Sequence, residues 1–179
     1  KSGKCSLFNL SLFETEKETK LSCKEKVNLK PLENNQSIVL QSKNKITIWN
    51  TLLNKSYIHN FGVGYSLISS TVLGNETILT LVSYENHVEY RIVSSKCKVI
   101  KIIKGVRYEN LNYSNIVKIR KSIINLDNKY VFFKDLNIIT DKAGNILLDN
   151  VKSACYNSKT DNLYTISFNQ IYKYDINLE

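Results

Sequence analysis

Short apolar runs separated by polar turns fill most of the chain, and one such unit is written twice. Residues 37–50 align without a gap onto residues 162–175. In each copy an apolar run reaches a serine, crosses a polar turn centred on Asn44 or Asn169, and continues as an alternating run. Alternation with a period of two is typical of half-buried β-strands. Each copy therefore predicts a two-stranded hairpin.

Two weaker copies of this unit lie between the sharp ones, over residues 78–92 and 130–141. The apolar runs begin near positions 38, 78, 130 and 163, with a mean spacing of about 42 residues. A repeat of this length is typical of a unit of four antiparallel strands. The intervals hold further strand-like segments that complete such units, over residues 56–59, 64–69, 98–103, 115–120, 145–148 and 151–156.

The two sharp copies resemble the blades of WD40-type β-propellers. Those blades carry a serine at the end of one strand, a tight turn with Asp or Asn, and a next strand that ends in Trp-Asp. The matching residues here are Ser42, Asn44, Trp49 and Asn50 in one copy, and Ser167, Asn169, Tyr174 and Asp175 in the other. The Gly-His dipeptide that such repeats often carry early in the blade is absent.

The resemblance implies an all-β, β-propeller-like fold of about four four-stranded antiparallel blades. Four blades are at the low end for a closed ring, so we expect part of a larger or incomplete ring. Trp49 and Tyr174 would pack in the core or between blades rather than serve as binding residues. Other inner positions would include Ile38, Leu40, Ile46, Ile48, Phe132 and Ile171.

The first 33 residues differ from the repeats. Residues 8–13 alternate like a strand, and residues 14–26 are dense in charges of both signs. Glu14–Lys20 could form one or two turns of solvated helix or a polar hairpin loop. We therefore predict a strand plus charged loop over residues 1–33, which could complete a neighbouring blade, and propeller-like blades over residues 34–179.

The chain has 179 residues, lacks methionine and opens Lys-Ser-Gly. We interpret it as a piece of a longer polypeptide. No stretch of the sequence reaches the roughly 18–20 apolar residues of a membrane-spanning helix, so no membrane partner is predicted.

The four cysteines lack the spacing of a zinc site. We expect them to be free, small buried side chains in a reducing compartment, whereas the alternative is two disulfides in a secreted domain. Glycosylation motifs fit the alternative, but about as many are expected by chance in so Asn- and Ser-rich a chain. The cysteines are Cys5, Cys23, Cys97 and Cys155, and the motifs begin at Asn9, Asn35, Asn54, Asn75 and Asn112.

Catalysis is not expected, because the sequence offers no suggestive nucleophile, acid–base pair or metal cluster. Its two histidines, His59 and His87, fall in different repeats. We therefore predict no enzyme activity, no metal and no cofactor.

Positive charge is the chain's most unusual property. The formal net charge is +9, and six cations without an acid lie between residues 91 and 108: Arg91, Lys96, Lys98, Lys101, Lys104 and Arg107. Lys96 and Lys98 are predicted to alternate on one face of a strand. Such a group could bind the phosphates of RNA, whereas the alternative is an exposed strand edge kept soluble by lysines.

These observations predict a non-catalytic scaffold that contacts other protein subunits within a larger intracellular assembly. Lys-rich degenerate propellers resemble those of RNA-associated machines such as ribosome-assembly complexes. That resemblance implies RNA as a further partner and a nuclear or cytoplasmic location. The alternative is a secreted, glycosylated binding or adhesion domain with disulfides.

Overall fold

The computed structural model of the chain describes residues 3–9, 14–21, 28–31, 37–73, 77–127 and 129–175. For residues 3–9, 14–21 and 28–31, and for Lys104, it describes the backbone alone. The chain forms two compact units, residues 1–109 and 110–179. All strand pairs in the described residues are antiparallel, so the all-β, antiparallel prediction is confirmed.

The first unit holds ten of the described strands. They are β1 (Gly3–Asn9), β2 (Glu14–Leu21), β3 (Asn28–Pro31), β4 (Ser37–Gln41), β5 (Lys45–Asn50), β6 (Lys55–Asn60), β7 (Tyr65–Val72), β8 (Thr77–Tyr84), β9 (His87–Ser94) and β10 (Val99–Arg107). Strands β1 and β2 form a small sheet, and two four-stranded sheets follow, in the orders β3-β4-β5-β6 and β10-β9-β8-β7.

The second unit begins with a helix and holds the remaining described strands. They are α1 (Tyr113–Lys121), β11 (Ile123–Leu126), β12 (Tyr130–Phe133), a 3₁₀ turn (Lys134–Leu136), β13 (Ile138–Asp141), β14 (Ile146–Leu148), β15 (Val151–Asn157), β16 (Asn162–Ser167) and β17 (Gln170–Asp175). The sheets have the orders β11-β12-β13-β14 and β15-β16-β17.

The repeated unit of the sequence is the same hairpin in every large sheet. The four copies are β4–β5, β8–β9, β12–β13 and β16–β17, and each forms the second and third strand of its sheet. The two sharp copies also share their register, since Ser37 lies opposite Asn50 and Asn162 lies opposite Asp175. The prediction of four equivalent hairpins is confirmed.

The core of the first unit lies between its two four-stranded sheets. Ile46 and Ile48 pack in one cluster with Leu67, Ile78 and Val82 from the neighbouring sheet. Full burial of each such side chain contributes roughly 1.5–3 kcal/mol. The packing anchors the first unit's central hairpins.

Most predicted inner positions are buried. Leu40, Phe132 and Trp49 are at most 2% exposed, and Trp49 Nε1 donates to Asn54 Oδ1 at 3.1 Å. Ile38 is half-buried and Tyr174 packs at the margin of the second unit's core. The prediction for Ile171 is wrong, because its side chain is 76% exposed on the last strand.

Residues 115–120 form a helix, so the strand predicted there is wrong. Asn112 caps helix α1, and its Oδ1 accepts the Asn115 N–H at 3.0 Å. Ile119 is the buried residue of the helix, and basic side chains occupy its last turn. The cap satisfies an amide that would otherwise lack a partner, and the cations complement the carbonyl end of the helix.

The charged segment near the N-terminus is a strand rather than a loop or a helix. Glu14–Leu21 pairs with Gly3–Asn9 along its length. Residues 10–13 and 22–27 lie outside the described residues. Strand β3 pairs with β4, so that sheet spans the predicted boundary between residues 33 and 34.

Cys97 joins the two large sheets of the first unit. It lies in the turn between β9 and β10 with a left-handed φ of 58°, is 5% exposed, and its thiol donates to the carbonyl of Tyr57 at 3.1 Å. Burial raises the pKa of this thiol to about 11, opposed by the backbone amides of Ile48 and His59. Cys155 is a free, exposed thiol, and Cys97 is also unpaired.

We expect Cys97 to resist alkylation in the folded chain while Cys155 reacts. With a pKa of about 11, only about one Cys97 thiol in a thousand is ionised at pH 8, and burial blocks the reagent as well. The measurement is iodoacetamide labelling at pH 8 followed by peptide mass spectrometry, with a urea-unfolded sample as the control. Equal labelling rates for both cysteines in the folded chain would contradict this burial.

Candidate interaction surface

The last sheet of the second unit is covered on one face and open on the other. Leu163 and Thr165 are buried, and Leu163 packs with Phe132 and Ile139 of the neighbouring sheet. Ile166 and Ile171 lie directly opposite each other on the other face, 39% and 76% exposed. Large apolar side chains at this exposure are the kind of surface that binds partners.

The hairpin β16–β17 ends in a two-residue turn with an unfavourable backbone. Phe168 and Asn169 have φ values of 49° and 62°, as a type I′ turn requires. Asn adopts this left-handed conformation readily, but a bulky aromatic residue rarely does. Phe168 is nevertheless held there with 72% of its surface exposed. The turn therefore presents an aromatic ring to solvent at a conformational cost of roughly 1 kcal/mol.

A groove of about 430 Å³ lies beside this turn. We call it the aromatic groove, after its walls of Phe168 and Tyr172 on one side and Ile146 and Leu147 on the other. Ile146 and Leu147 are 54% and 47% exposed. Asp149 also lines the groove, so the groove is open and its walls are both apolar and polar.

A second groove, of about 320 Å³, lies on the opposite face of the same hairpin. We call it the isoleucine groove, after Ile166 and Ile171, and Cys155 and Tyr164 also line it. Residues directly opposite in neighbouring strands share a face, and successive residues alternate. Ile171 and Tyr172 therefore point to different sides, so the two grooves flank one strand.

Polar contacts fix both ends of the last sheet. At one end Lys152 Nζ donates to Asn169 Oδ1 at 2.9 Å, and at the other Lys129 Nζ lies 2.7 Å from Asp161 Oδ1. The Tyr156 hydroxyl also donates to Asp161. Hydrogen bonds from Lys129 and then Tyr156 lower the pKa of the Asp161 carboxyl. Exposed pairs such as these add little stability, but they hold the turns in place.

Arg91, the first residue of the predicted basic group, is engaged inside the first unit. Its guanidinium lies 2.6 Å from Glu89 Oε2 and stacks over the rings of Tyr65 and Phe61, 5.1 and 5.8 Å from their centroids. A cation that is paired and stacked has little charge left for a phosphate. The sequence pattern missed Glu89 because it lies just before the acid-free segment.

Lys96 and Lys98 lie in the turn before β10, on either side of Cys97, and both are exposed. The prediction that they alternate on a strand is wrong, because the left-handed Cys97 bends the chain between them and β10 begins at Val99. In the residues that the structure describes, neither has a carboxylate partner.

A bulge brings Lys101 to the same face as Lys98. Ser94 N–H donates to the Lys98 carbonyl, and Lys101 lies opposite Ile92 after a shift in pairing that follows Val99. Ser94 and Ile92 are two residues apart on β9 and share a face, so Lys98 and Lys101 share it too. Three of the predicted cations, including Lys96, therefore lie at one end of β10.

Arg107 lies at the opposite end of β10, opposite His87, roughly 25 Å along the strand from Lys98. It lines a small cleft with Glu85, so a carboxylate accompanies it. The side chain of Lys104 lies outside the described residues. The described cations of this group thus spread over β9, the turn that follows it and β10 rather than gathering in one compact cluster.

Both histidines lie in strands, His59 in β6 and His87 in β9. The His59 ring meets Phe61 edge to face at 4.7 Å, and its Nε2 is buried without a hydrogen-bond partner. Burial and, secondarily, the charge of Arg91 lower the pKa of His59. His87 lies against Gly105, where any Cβ would overlap its ring.

The described residues include no group of three or more His, Cys, Asp or Glu side chains that could hold a metal ion. The same part of the chain has no helix long and apolar enough to cross a membrane.

Sequence reasoning missed the residues that form the two grooves. Two signals were present: a phenylalanine in a two-residue turn, and large side chains on both faces of β17, with Ile171 on one and Tyr172 and Tyr174 on the other. A strand with one open face normally alternates large apolar with polar residues, whereas β17 does not.

No protein-family model and no curated protein matches the chain. The solved structures that are similar to it include the following two, both at low identity. One is a protein of unknown function from Bacteroides caccae, 12% identical over 97% of this chain and 69% of that one, with a TM-score of 0.47. The other is Hsv2 of Kluyvelomyces marxianus, 14% identical over 96% of this chain and 66% of that one, with a TM-score of 0.36. Scores this low assign no family.

We expect His59 to make the chain less stable in mild acid. Its folded pKa lies below the ordinary 6.5, so the unfolded state binds more protons between the folded pKa and 6.5. The free energy of unfolding therefore falls as the pH falls through that window and is unaffected by this group above it. The measurement is urea unfolding from pH 8 to pH 5 of the wild type and His59→Gln. Parallel stability curves for the two proteins would contradict the prediction.

Proposed function

We propose that the chain is a non-catalytic, β-propeller-like scaffold that contacts other protein subunits within a larger intracellular assembly. The blade-like interpretation is supported by the four equivalent hairpins, each the second and third strand of its sheet. The observation that carries the binding function is the exposed apolar surface of Phe168 and Ile171, which line two open grooves on either side of β17.

The chemistry of this surface is that of an interaction hot spot. Phe168 and Ile171 are each more than 70% exposed and lie at adjoining grooves on a hairpin that polar contacts fix at both turns. Exposed aromatic and aliphatic anchors on a rigid element gain most of their surface burial on binding and lose little conformational entropy. A partner would therefore gain free energy here without reshaping the sheet.

The secreted alternative requires other chemistry at the cysteines and asparagines. Two disulfides would need all four cysteines, whereas Cys97 and Cys155 are both free. The contacts of Asn54 and Asn112 do not separate the two alternatives, because their Oδ1 atoms accept hydrogen bonds from Trp49 and from a helix amide, whereas a glycan would attach at Nδ2. The two free thiols therefore favour the intracellular scaffold.

Replacement of Phe168 by Asn tests the surface directly. We expect the variant to lose its partners while its free energy of unfolding rises by about 0.5–1 kcal/mol, because Asn suits a left-handed turn position. Stability is measured by urea unfolding, and partners by cross-linking in cell extract with quantitative mass spectrometry. Proteins lost at least fivefold from Phe168→Asn, relative to wild type, are the specific partners.

Val63→Ser is the matched control, because Val63 is 97% exposed, belongs to the first unit and lines neither groove. It should keep the wild-type set of partners. If Phe168→Asn also keeps that set, the grooves do not carry the scaffold function. If the free energy of unfolding of Phe168→Asn falls instead of rising, Phe168 has a structural role, and the argument that Asn suits this turn position better fails.

A second candidate function is binding of an RNA backbone by Lys96, Lys98 and Lys101. It is favoured by their common position at one end of β10 and by the absence of a described carboxylate beside Lys96 or Lys98. Such a group would neutralise about three phosphates without reading sequence.

We expect the affinity for poly(U) RNA to fall with salt at a log–log slope of about −2. Reversal of Lys96 and Lys98 to Glu should flatten that slope and weaken binding similarly for poly(U) and poly(A). The control, Lys142→Glu with Lys159→Glu, changes the net charge equally on the second unit. Fluorescence anisotropy from 50 to 300 mM salt measures both. Equal affinities for the two double variants would leave the turn lysines as solubilising residues only.

A further inference from the structure

The last sheet of the described chain ends in a strand with a free edge. The other three large sheets have four strands each, whereas this one has three, in the order β15-β16-β17. No described strand pairs with the outer side of β17. Strand edges of this kind are templates for pairing with a further strand.

The register identifies which backbone groups face the open side. Ser167 and Gln170 close the two-residue turn, so they form a hydrogen-bonded pair. In an antiparallel ladder such pairs alternate with non-bonded ones. Tyr172 and Tyr174 therefore bond to β16, while the N–H and C=O groups of Ile171, Lys173 and Asp175 point outward. The free edge thus offers three donors and three acceptors.

The side chains along this edge define what an added strand must carry. Next to Tyr172 and Tyr174 it meets the aromatic groove, and next to Ile171 it meets the isoleucine groove. On that second face Lys173 and Asp175 follow in turn, both exposed. An antiparallel strand that matches this edge reads, from its N-terminus, basic, apolar, acidic, apolar, apolar.

We propose that an extended segment of a partner protein, with this alternation, adds to β17 as a fourth antiparallel strand. The inference rests on the proposed scaffold function and names the form of its partner. Main-chain hydrogen bonds to Ile171, Lys173 and Asp175 supply affinity, and the two grooves select alternate side chains.

A second copy of this chain fits the edge less well. Two β17 strands that pair antiparallel through their outward groups meet at their centre, which places Lys173 opposite the same residue of the other copy. Like charges directly opposite in a sheet are destabilising. A partner with an acidic residue at that position has no such conflict.

The probe for this site is the peptide acetyl-Thr-Lys-Val-Glu-Val-Ile-Thr-amide, compared with a scrambled peptide of the same composition. Single-residue amide hydrogen exchange of the full chain is measured with and without peptide. We expect the amides of Ile171, Lys173 and Asp175 to slow by at least about tenfold, while those of Tyr172 and Tyr174, already bonded to β16, do not change. The proposal is overturned if millimolar peptide does not produce this alternating protection.

Two substitutions of Lys173 distinguish the contribution of its backbone N–H to peptide binding from that of its side-chain charge. Lys173→Pro removes an outward N–H but no hydrogen bond to β16, so the sheet remains and peptide affinity should fall at least tenfold. Lys173→Ala keeps that N–H and should lose only a few-fold, through the missing pair with glutamate. Equal affinities for Lys173→Pro and wild type overturn strand addition.

The partners found by cross-linking distinguish this inference from the scaffold proposal. If Phe168→Asn loses partners and Lys173→Pro keeps them, the scaffold stands and strand addition falls. If both variants keep them, the scaffold surface falls as well. Self-association of the wild-type chain in light scattering, abolished by Lys173→Pro, would assign the edge to a second copy and overturn the partner strand.

Discussion

The structure depends on the burial of both faces of its central hairpins. On β5, Ile46 and Ile48 point to the neighbouring sheet, while Thr47 and Trp49 on the other face are buried as well. Strands of this kind carry nearly continuous apolar runs. Because each buried side chain contributes roughly 1.5–3 kcal/mol, a hairpin exposed on one face would lose much of its stability. In the first unit, the two four-stranded sheets pack against each other and bury Ile46 and Ile48 between them.

The last hairpin has the same sequence pattern but only one covered face. Leu163 and Thr165 meet the core of the second unit, whereas Ile166 and Ile171 face outward. Register and turn are properties of the hairpin itself, but burial depends on what lies beside it. The apolar face that supports folding in one copy of the repeat is therefore available for binding in another.

The parts of the fold that sequence could predict are those set by local periodicity. Alternation located the four hairpins and the buried positions of β5, because neighbouring residues alone decide which face a strand side chain takes. Helix α1 escaped prediction, since an Ile- and Val-rich segment becomes helical once Asn112 caps it. Glu14–Leu21 escaped because its strand depends on pairing with a segment earlier in the chain. The sequence identified the basic residues but not their positions in the fold, because the left-handed Cys97 turns the chain between Lys96 and Lys98.

The turns of the two sharp copies show how tertiary contacts divide one sequence unit into two roles. In the first copy the carbonyls of Lys43 and Asn44 accept the amides of Leu67 and Phe61, at 2.6 and 3.0 Å, so the turn is tied to the strands beside it. The residue of the last copy that aligns with Lys43 is Phe168, whose backbone is left-handed. Its ring lies in solvent rather than against a neighbouring strand. The same turn position thus ties one hairpin to its neighbours in the first copy, whereas in the last copy it presents an aromatic ring to solvent at a cost in backbone strain.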